Sequence, residues 1–265
     1  QSVANYPGVT VEFKVGSAKW RGRAFDLVDL PGTYSLTAFS QDEVVARNCL
    51  IEENPDVVLN VVDASNLERN LYLTVQLMEM RVPLVIALNM ADLAEKRGIR
   101  IDAERLGKLL GVPVLLTVGQ SGKGLDDILA ACAGVIDAPA PPHPASVTYG
   151  HLVDDEVERL SQLVQADGAV AGRYDPRWVA VKFIEQDELM TRSLRELTDK
   201  ASVLEAAATE AATRIRNHFG EDAGTILAER RYGFAAGAIR ECVQVSAGAR
   251  QDLTDRIDSI VCNRY

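Results

Sequence analysis

The chain has 265 residues, 47% hydrophobic and 25% charged, which fits one or two ordinary globular domains and excludes a disordered or fibrous protein. Its 28 Lys and Arg against 38 Asp and Glu leave a net charge of −10. That balance excludes bulk binding to a nucleic-acid backbone but not a small anion held by backbone N–H groups.

Four short apolar runs in the first half read as strands: Phe25 to Asp29, Val57 to Asp63, Pro83 to Asn89 and Val112 to Val118. Near-continuous runs of this kind suit strands covered on both faces, as in a parallel sheet. Helical stretches lie between and after them, at about 40–53, 67–80, 102–110 and 125–135. The alternation is that of a doubly wound α/β domain, whose ligands sit at the carboxyl ends of the strands. Residues 138–153 are the longest run without Asp, Glu, Lys or Arg; their prolines exclude a membrane helix and mark a domain boundary, giving domains 1–138 and 139–265. Beyond it the strands stop. Helices are expected at 151–166, 176–185, 189–197, 201–219 and 223–245, with an amphipathic segment at 253–261. Asp175-Pro176 is a cap followed by proline at the first helical position. Cys49, Cys132, Cys242 and Cys262 are scattered, form no CxxC pair and stand at no zinc spacing from the histidines, so no transition-metal site is read.

The polar residues at the strand ends carry the chemistry. Asp29-Leu-Pro-Gly32 closes a strand: the carboxylate can hold Mg²⁺ through water, and the glycine lets a backbone N–H approach a terminal phosphate. A tight turn explains the same four residues. Asn89-Met-Ala-Asp92 closes another strand, and the Asp92 carboxylate can accept both the ring N–H and the exocyclic amine of guanine, a pattern adenine lacks. A helix N-cap at Asp92 is the plain alternative. Gly8-Val9-Thr10 precedes a Val-Glu-Phe strand, where a Thr10 hydroxyl can ligate Mg²⁺ or simply belong to the strand. The order Thr, then D-x-x-G, then N-x-x-D is that of guanine-nucleotide switches. The loop Gly119-Gln-Ser-Gly-Lys-Gly124 follows the next strand, where such proteins set backbone N–H groups against the guanine carbonyl. No G-x-x-x-x-G-K-[ST] phosphate loop is present. The expectation is that a first strand, phosphate loop and helix precede Gln1. Asp42 and Glu43 can assist the phosphate chemistry or simply form a solvated helix start after Ser40, and Ser65-x-x-Glu68 reads as a capping box.

Asn5-Tyr-Pro-Gly-Val-Thr-Val-Glu12, residues 27–36, residues 61–73 and residues 87–92 together resemble the cytosolic N-terminal region of FeoB, the bacterial ferrous-iron transporter family. The helical half resembles that family's dissociation-inhibitor-like domain, and residues 255–264 the segment leading to its first membrane helix. The resemblance implies a P-loop GTPase-like domain that binds GTP and GDP and hydrolyses GTP slowly, with Mg²⁺ and often K⁺, followed by an all-α domain. It further implies an attached membrane-spanning domain carrying Fe²⁺, at the cytoplasmic face of the bacterial inner membrane. The nucleotide is then the partner and nucleic acid is not; homo-oligomerisation stays open. By the same resemblance, Thr10 senses Mg²⁺ and the γ-phosphate, and Asp29 and Gly32 do so in the second switch. Asn89 and Asp92 read guanine, Met90 covers the base, and Gly119, Gln120 and Ser121 form the last base loop. Gly119 stands where a small hydroxyl residue is usual, which loosens the pocket. Thr33 replaces a water-orienting glutamine, so backbone groups of Gly8, Val9 and Thr10 are expected to place the water. A soluble assembly-type GTPase and a nucleotide-free structural module are the alternatives.

Overall fold

The structure, a computed structural model, describes residues 2–5, 12–37, 39–140 and 142–246, with side chains from Lys14 onward. Gly8, Val9, Thr10, Cys262 and the segments 253–261 and 255–264 lie outside the described residues. In chain order the elements begin with β1 (Ser2–Asn5), β2 (Glu12–Trp20), β3 (Arg23–Asp29), α1 (Gln41–Glu52), β4 (Val58–Asp63), α2 (Leu67–Glu79) and β5 (Leu84–Asn89). They continue with α3 (Ala91–Lys96), β6 (Ile99–Ile101), α4 (Ala103–Leu110), β7 (Val114–Leu116) and α5 (Leu125–Asp137). The remainder is α6 (His151–Gln165), α7 (Gly168–Ala171), α8 (Pro176–Ile184), α9 (Glu188–Leu197), α10 (Ala201–Phe219), α11 (Ala223–Cys242) and β8 (Val243–Val245). Two compact units result, one of residues 1–55, 72–82 and 146–234, the other of 56–71, 83–145 and 235–265.

In the first unit β1, β2 and β3 form an antiparallel sheet in that order. The run at 25–29 therefore does not join a parallel sheet, as its apolar character suggested. Arg21 and Gly22, at φ +47° and +80°, make a two-residue turn that puts Trp20 opposite Arg23. A turn this short can only link antiparallel neighbours.

The helical part of this unit is centred on α8, whose residues Trp178 to Ile184 are all buried. Asp175 caps it by accepting from Trp178 N at 2.9 Å, with Pro176 at the first position as the sequence indicates. It packs against α6, α9 and α10. Ala208, Ala211 and Ala212 on α10 are buried, and small side chains there let helices approach closely.

Charge is buried with them. Arg231 is fully buried and donates to both Glu79 oxygens at 2.6 and 3.0 Å, and also to Glu185. Tyr149 Oη donates to Glu79 at 2.6 Å and Lys182 to Glu185 at 2.9 Å. The two cations balance the two carboxylates. Arg47 on α1, 2% exposed, makes a similar bidentate pair with Asp187 at 2.5 and 3.0 Å.

In the second unit β4, β5 and β7 form a parallel sheet in that order. The central strand is buried from Leu84 to Leu88, and Val85 and Ala87 pack with Ile128, Cys132 and Val135 of α5. These three strands match the apolar runs of the sequence, but only β5 is covered on both faces as expected; Leu59 and Val61 of β4 and Leu116 of β7 are exposed. The last helix ends sooner than its expected Val245: Val243 to Val245 form β8, antiparallel to β6. Flanking β-branched residues around one polar position favour a strand once a partner edge is at hand.

Burial would raise the Glu185 carboxyl, but the Arg231 and Lys182 charges outweigh it and hold it down to about 2. Such a depressed carboxylate stabilises the fold fully above its unfolded value of 4.5, and the contribution is lost as pH falls through about 2. Urea denaturation at stepped pH should show stability falling across that window. Glu185→Gln should flatten the acid limb and cost about 3–5 kcal/mol at neutral pH, because it leaves buried charge unpaired.

Candidate functional site

Parallel pairing brings the ends of β5 and β7 to one edge of the second unit's sheet, since Leu88 lies opposite Leu116. The loops that leave there are stitched together. Thr117 N donates to Leu88 O at 2.8 Å and Ala91 N to Thr117 O at 3.1 Å. Asn89 Oδ1 accepts from Gly119 N at 2.9 Å and from Thr117 Oγ1 at 3.4 Å. The amide thus fixes the last loop from the side, with the added hydroxyl partner Thr117 that sequence reasoning passed over as a strand residue.

Met90 has φ +59° and is half-exposed at the position preceding α3, where it makes no side-chain cap. Asp92 is the second residue of that helix. The capping alternative for Asp92 does not hold: its carboxylate bonds no backbone N–H, is half-exposed, and meets Lys96 at 3.4 Å in an open i,i+4 pair. It is available to a ligand.

The loop from Val118 to Lys123 is closed by Val118 N to Lys123 O at 3.0 Å and Ser121 N to Val118 O at 3.1 Å. Ser121 Oγ also donates to Val118 O, at 3.2 Å. With Gly119 N taken by Asn89, the next N–H, that of Gln120, meets no acceptor among the described residues. A Cβ on Gly119 would stand 3.3 Å from Asn89 Oδ1, so the missing side chain keeps the amide's approach open.

Asp29 and Gly32 belong to the first unit. Asp29 ends β3, opposite Lys14, and its carboxylate has no partner among the described residues. As a hard, unspent oxygen donor it suits Mg²⁺, which takes one or two carboxylates and fills its remaining positions with water and phosphate oxygens. Gly32 has no positive φ, and a Cβ on it would meet nothing within 4 Å. Neither backbone strain nor crowding inside the protein asks for glycine there.

After Gly32 the loop is internally braced. Thr33 Oγ1 donates to Ser35 O at 2.7 Å. Glu43 accepts from Phe39 N at 2.8 Å, Ser40 N at 3.3 Å, and the Ser35 and Thr37 hydroxyls. With Ser40 Oγ taking Glu43 N, this is a capping box, so Glu43 is more than a solvated start. The box expected at Ser65 and Glu68 is absent. Asp63 caps that turn by accepting from Ser65 N at 2.8 Å, and Ser65 Oγ takes Arg97 at 3.1 Å. Among the described residues no group of three or more His, Cys, Asp and Glu could hold a metal, and no helix is long and apolar enough to cross a membrane.

A parallel sheet whose N-x-x-D loop is tied at Gly119 to the loop after β7, a D-x-x-G strand end, and a helical domain are features of a G-protein-type chain. The family profile of ferrous iron transport protein B matches residues 1–132, and that of the FeoB cytosolic helical domain matches residues 149–244. The chain belongs to the FeoB family, as its N-terminal G domain and helical domain. It is 40% identical over 268 residues to the Fe(2+) transport protein A/Fe(2+) transporter FeoB fusion protein of Porphyromonas gingivalis, covering 100% of this chain and 32% of that one. It is 37% identical over 271 residues to Fe(2+) transporter FeoB of Escherichia coli, covering 100% and 33%. The chain therefore spans about a third of the length of these curated relatives. Among solved structures, a mutant S. thermophilus NFeoB bound to GDP matches with a TM-score of 0.82 at 33% identity, covering 92% of this chain and 90% of that one. The cytosolic domain of the T. maritima FeoB iron transporter in its GMPPNP form matches with a TM-score of 0.76 at 28% identity, covering 92% and 89%.

Two glycines of the loop after β7 separate strain from crowding. Gly122 (φ +72°) has open space around an added Cβ, whereas Gly124 (φ +83°) would bring one to 2.5 Å from Leu116 O. Gly122→Ala should cost about 1–2 kcal/mol from left-handed backbone alone. Gly124→Ala should cost clearly more, because backbone has to shift; chemical denaturation of both variants measures the difference.

Proposed function

We propose that this chain binds GTP and GDP, and that together with a phosphate-loop segment it hydrolyses GTP slowly and regulates Fe²⁺ uptake through an attached membrane transporter. The reading places it at the cytoplasmic face of the bacterial inner membrane, with a G domain of residues 1–138 and a helical domain of residues 139–265. The observation that carries it is the Asp92 carboxylate, which caps no backbone N–H and meets only the exposed Lys96, three residues after the Asn89 that ties the next loop at Gly119.

In this reading Asp92 accepts the ring N–H and exocyclic amine of guanine, and the Gln120 N–H donates to its carbonyl. Met90 covers one face of the base with its polarisable thioether. Ser121 holds the loop closed beneath. Asp29 and the Thr10 hydroxyl are the residues that would hold Mg²⁺, which supplies charge neutralisation at the phosphates. Gly32 N–H reaches the terminal phosphate, and the backbone of Gly8 to Thr10 orients the attacking water, since Thr33 offers no amide for the task. K⁺ would assist from a site completed by the phosphate-loop segment. The nucleotide-bound relatives support the ligand, and the family membership supports the transport context.

Titration of the full-length protein with GTP and ATP in the presence of Mg²⁺ tests the reading. GTP should bind tighter by about 100-fold or more, because an adenine leaves the aspartate unpaired, and Asp92→Ala should erase the preference. Equal affinities for the two nucleotides would overturn it. Residues 1–265, which contain no G-x-x-x-x-G-K-[ST] sequence, should show no GTP turnover when expressed alone.

A further inference from the structure

Two buried side-chain nitrogens lack a partner among the described residues: Arg47 Nε and Gln76 Nε2. Gln76 lies on α2 and is 1% exposed. Its other end is engaged: Gln76 Oε1 accepts from Leu36 N at 2.7 Å. An N–H can be met only by an acceptor, so this bond fixes which way the amide points and leaves the NH₂ end inside the protein. An apolar side chain would fill the space without burying an unpaired donor, whose desolvation is unfavourable. The gain that offsets this is the bond to Leu36.

Leu36 is four residues past Gly32 and is the one buried residue among the described residues 30–40. Around it Tyr34 is 55% and Phe39 94% exposed. The loop is therefore held by Glu43 at its helical end and by Gln76 at its middle. The Gln76 end stands on a fixed base. Three residues further along α2, Glu79 is held by the buried Arg231 at 2.6 and 3.0 Å and by Tyr149 at 2.6 Å. Whatever moves between Gly32 and Ser40 moves against this anchor.

We propose that Gln76 is a positioning residue for the D-x-x-G loop. By pinning the Leu36 N–H it sets where the Gly32 N–H stands, so that GTP turnover depends on it while GDP binding does not. The proposal rests on the GTPase reading above and adds to it a residue outside every nucleotide-contacting motif.

The test compares Gln76→Leu with Gln76→Glu in the full-length protein. Gln76→Glu keeps a carbonyl acceptor and is neutral when buried. Gln76→Leu should lower kcat about tenfold, leave GDP affinity unchanged and speed hydrogen exchange at the Leu36 amide. Gln76→Glu should restore the Leu36 protection and most of kcat. Wild-type kcat with intact Leu36 protection in Gln76→Leu would overturn the proposal, as would equal losses in both variants, the mark of a packing role alone. Should Gln76→Leu fail to fold, Gln76→Met takes its place with the same expectations. If the unmutated protein shows no GTP turnover, the GTPase reading fails, while exchange at Leu36 still decides whether Gln76 anchors the loop.

Discussion

A guanidinium sealed from water has to be neutralised where it stands, and Arg231 meets that requirement with carboxylates from two distant parts of the chain. Glu79 comes from α2 and Glu185 from the end of α8, with Lys182 and Tyr149 completing the set. Each bond has a direction, so the elements that supply the partners cannot slide past one another as greased surfaces could. Removing either carboxylate or either cation strands a charge in a dry interior, which is far costlier than losing one apolar contact. The Arg47–Asp187 pair extends the same logic to α1, the helix that follows the D-x-x-G loop. Within the first unit, then, the loop after β3 is bordered by elements whose places are set by buried charge.

The second unit rests on a different constraint. Parallel strands release their chains at one edge, so neighbours in the sheet deliver their loops to the same place whatever their distance in sequence. The pairing of β5 with β7 does this for Asn89 and Gly119. The side-chain bond between them then turns proximity into a fixed relation. A short helix follows on one side and a closed turn on the other. The apolar contacts of Val85 and Ala87 with α5 hold the strand from which the first loop springs.

Much of this was legible in the sequence because the signals were local and strong. Continuous apolar runs marked all three parallel strands, although only β5 is buried along its length. Helix starts with dedicated chemistry, such as Asp175-Pro176, were equally plain. The failures share a cause, a partner distant in sequence. The run at 25–29 has the composition of a parallel strand, and only the Arg21-Gly22 turn decides otherwise. Val243 to Val245 become a strand because β6 offers an edge, which no window around residue 243 contains. Ser65 and Glu68 have capping-box spacing, yet Asp63, two residues earlier, takes the N–H first. Gln76 looks like any polar residue on an amphipathic helix; its bond to Leu36 spans 40 positions. Of the candidate site, residue types and order could be read, but which acids were free to act could not.

That last distinction is the one the structure supplies. In an acidic chain the question is which carboxylates the fold has already used. Asp102, Asp167, Asp175, Asp187 and Asp222 each accept a backbone N–H at a helix start, and Asp63 does so at the turn after β4. Asp154 takes the N–H groups of Tyr149 and Gly150. Asp29, at the end of β3, and Asp92, in the first turn of α3, accept no backbone N–H among the described residues. A short polar side chain beside unpaired backbone donors normally folds back onto them, since that bond is local and cheap in entropy. Where it does not, the oxygen stays open to a partner from outside the chain, as at the aspartates of D-x-x-G and N-x-x-D.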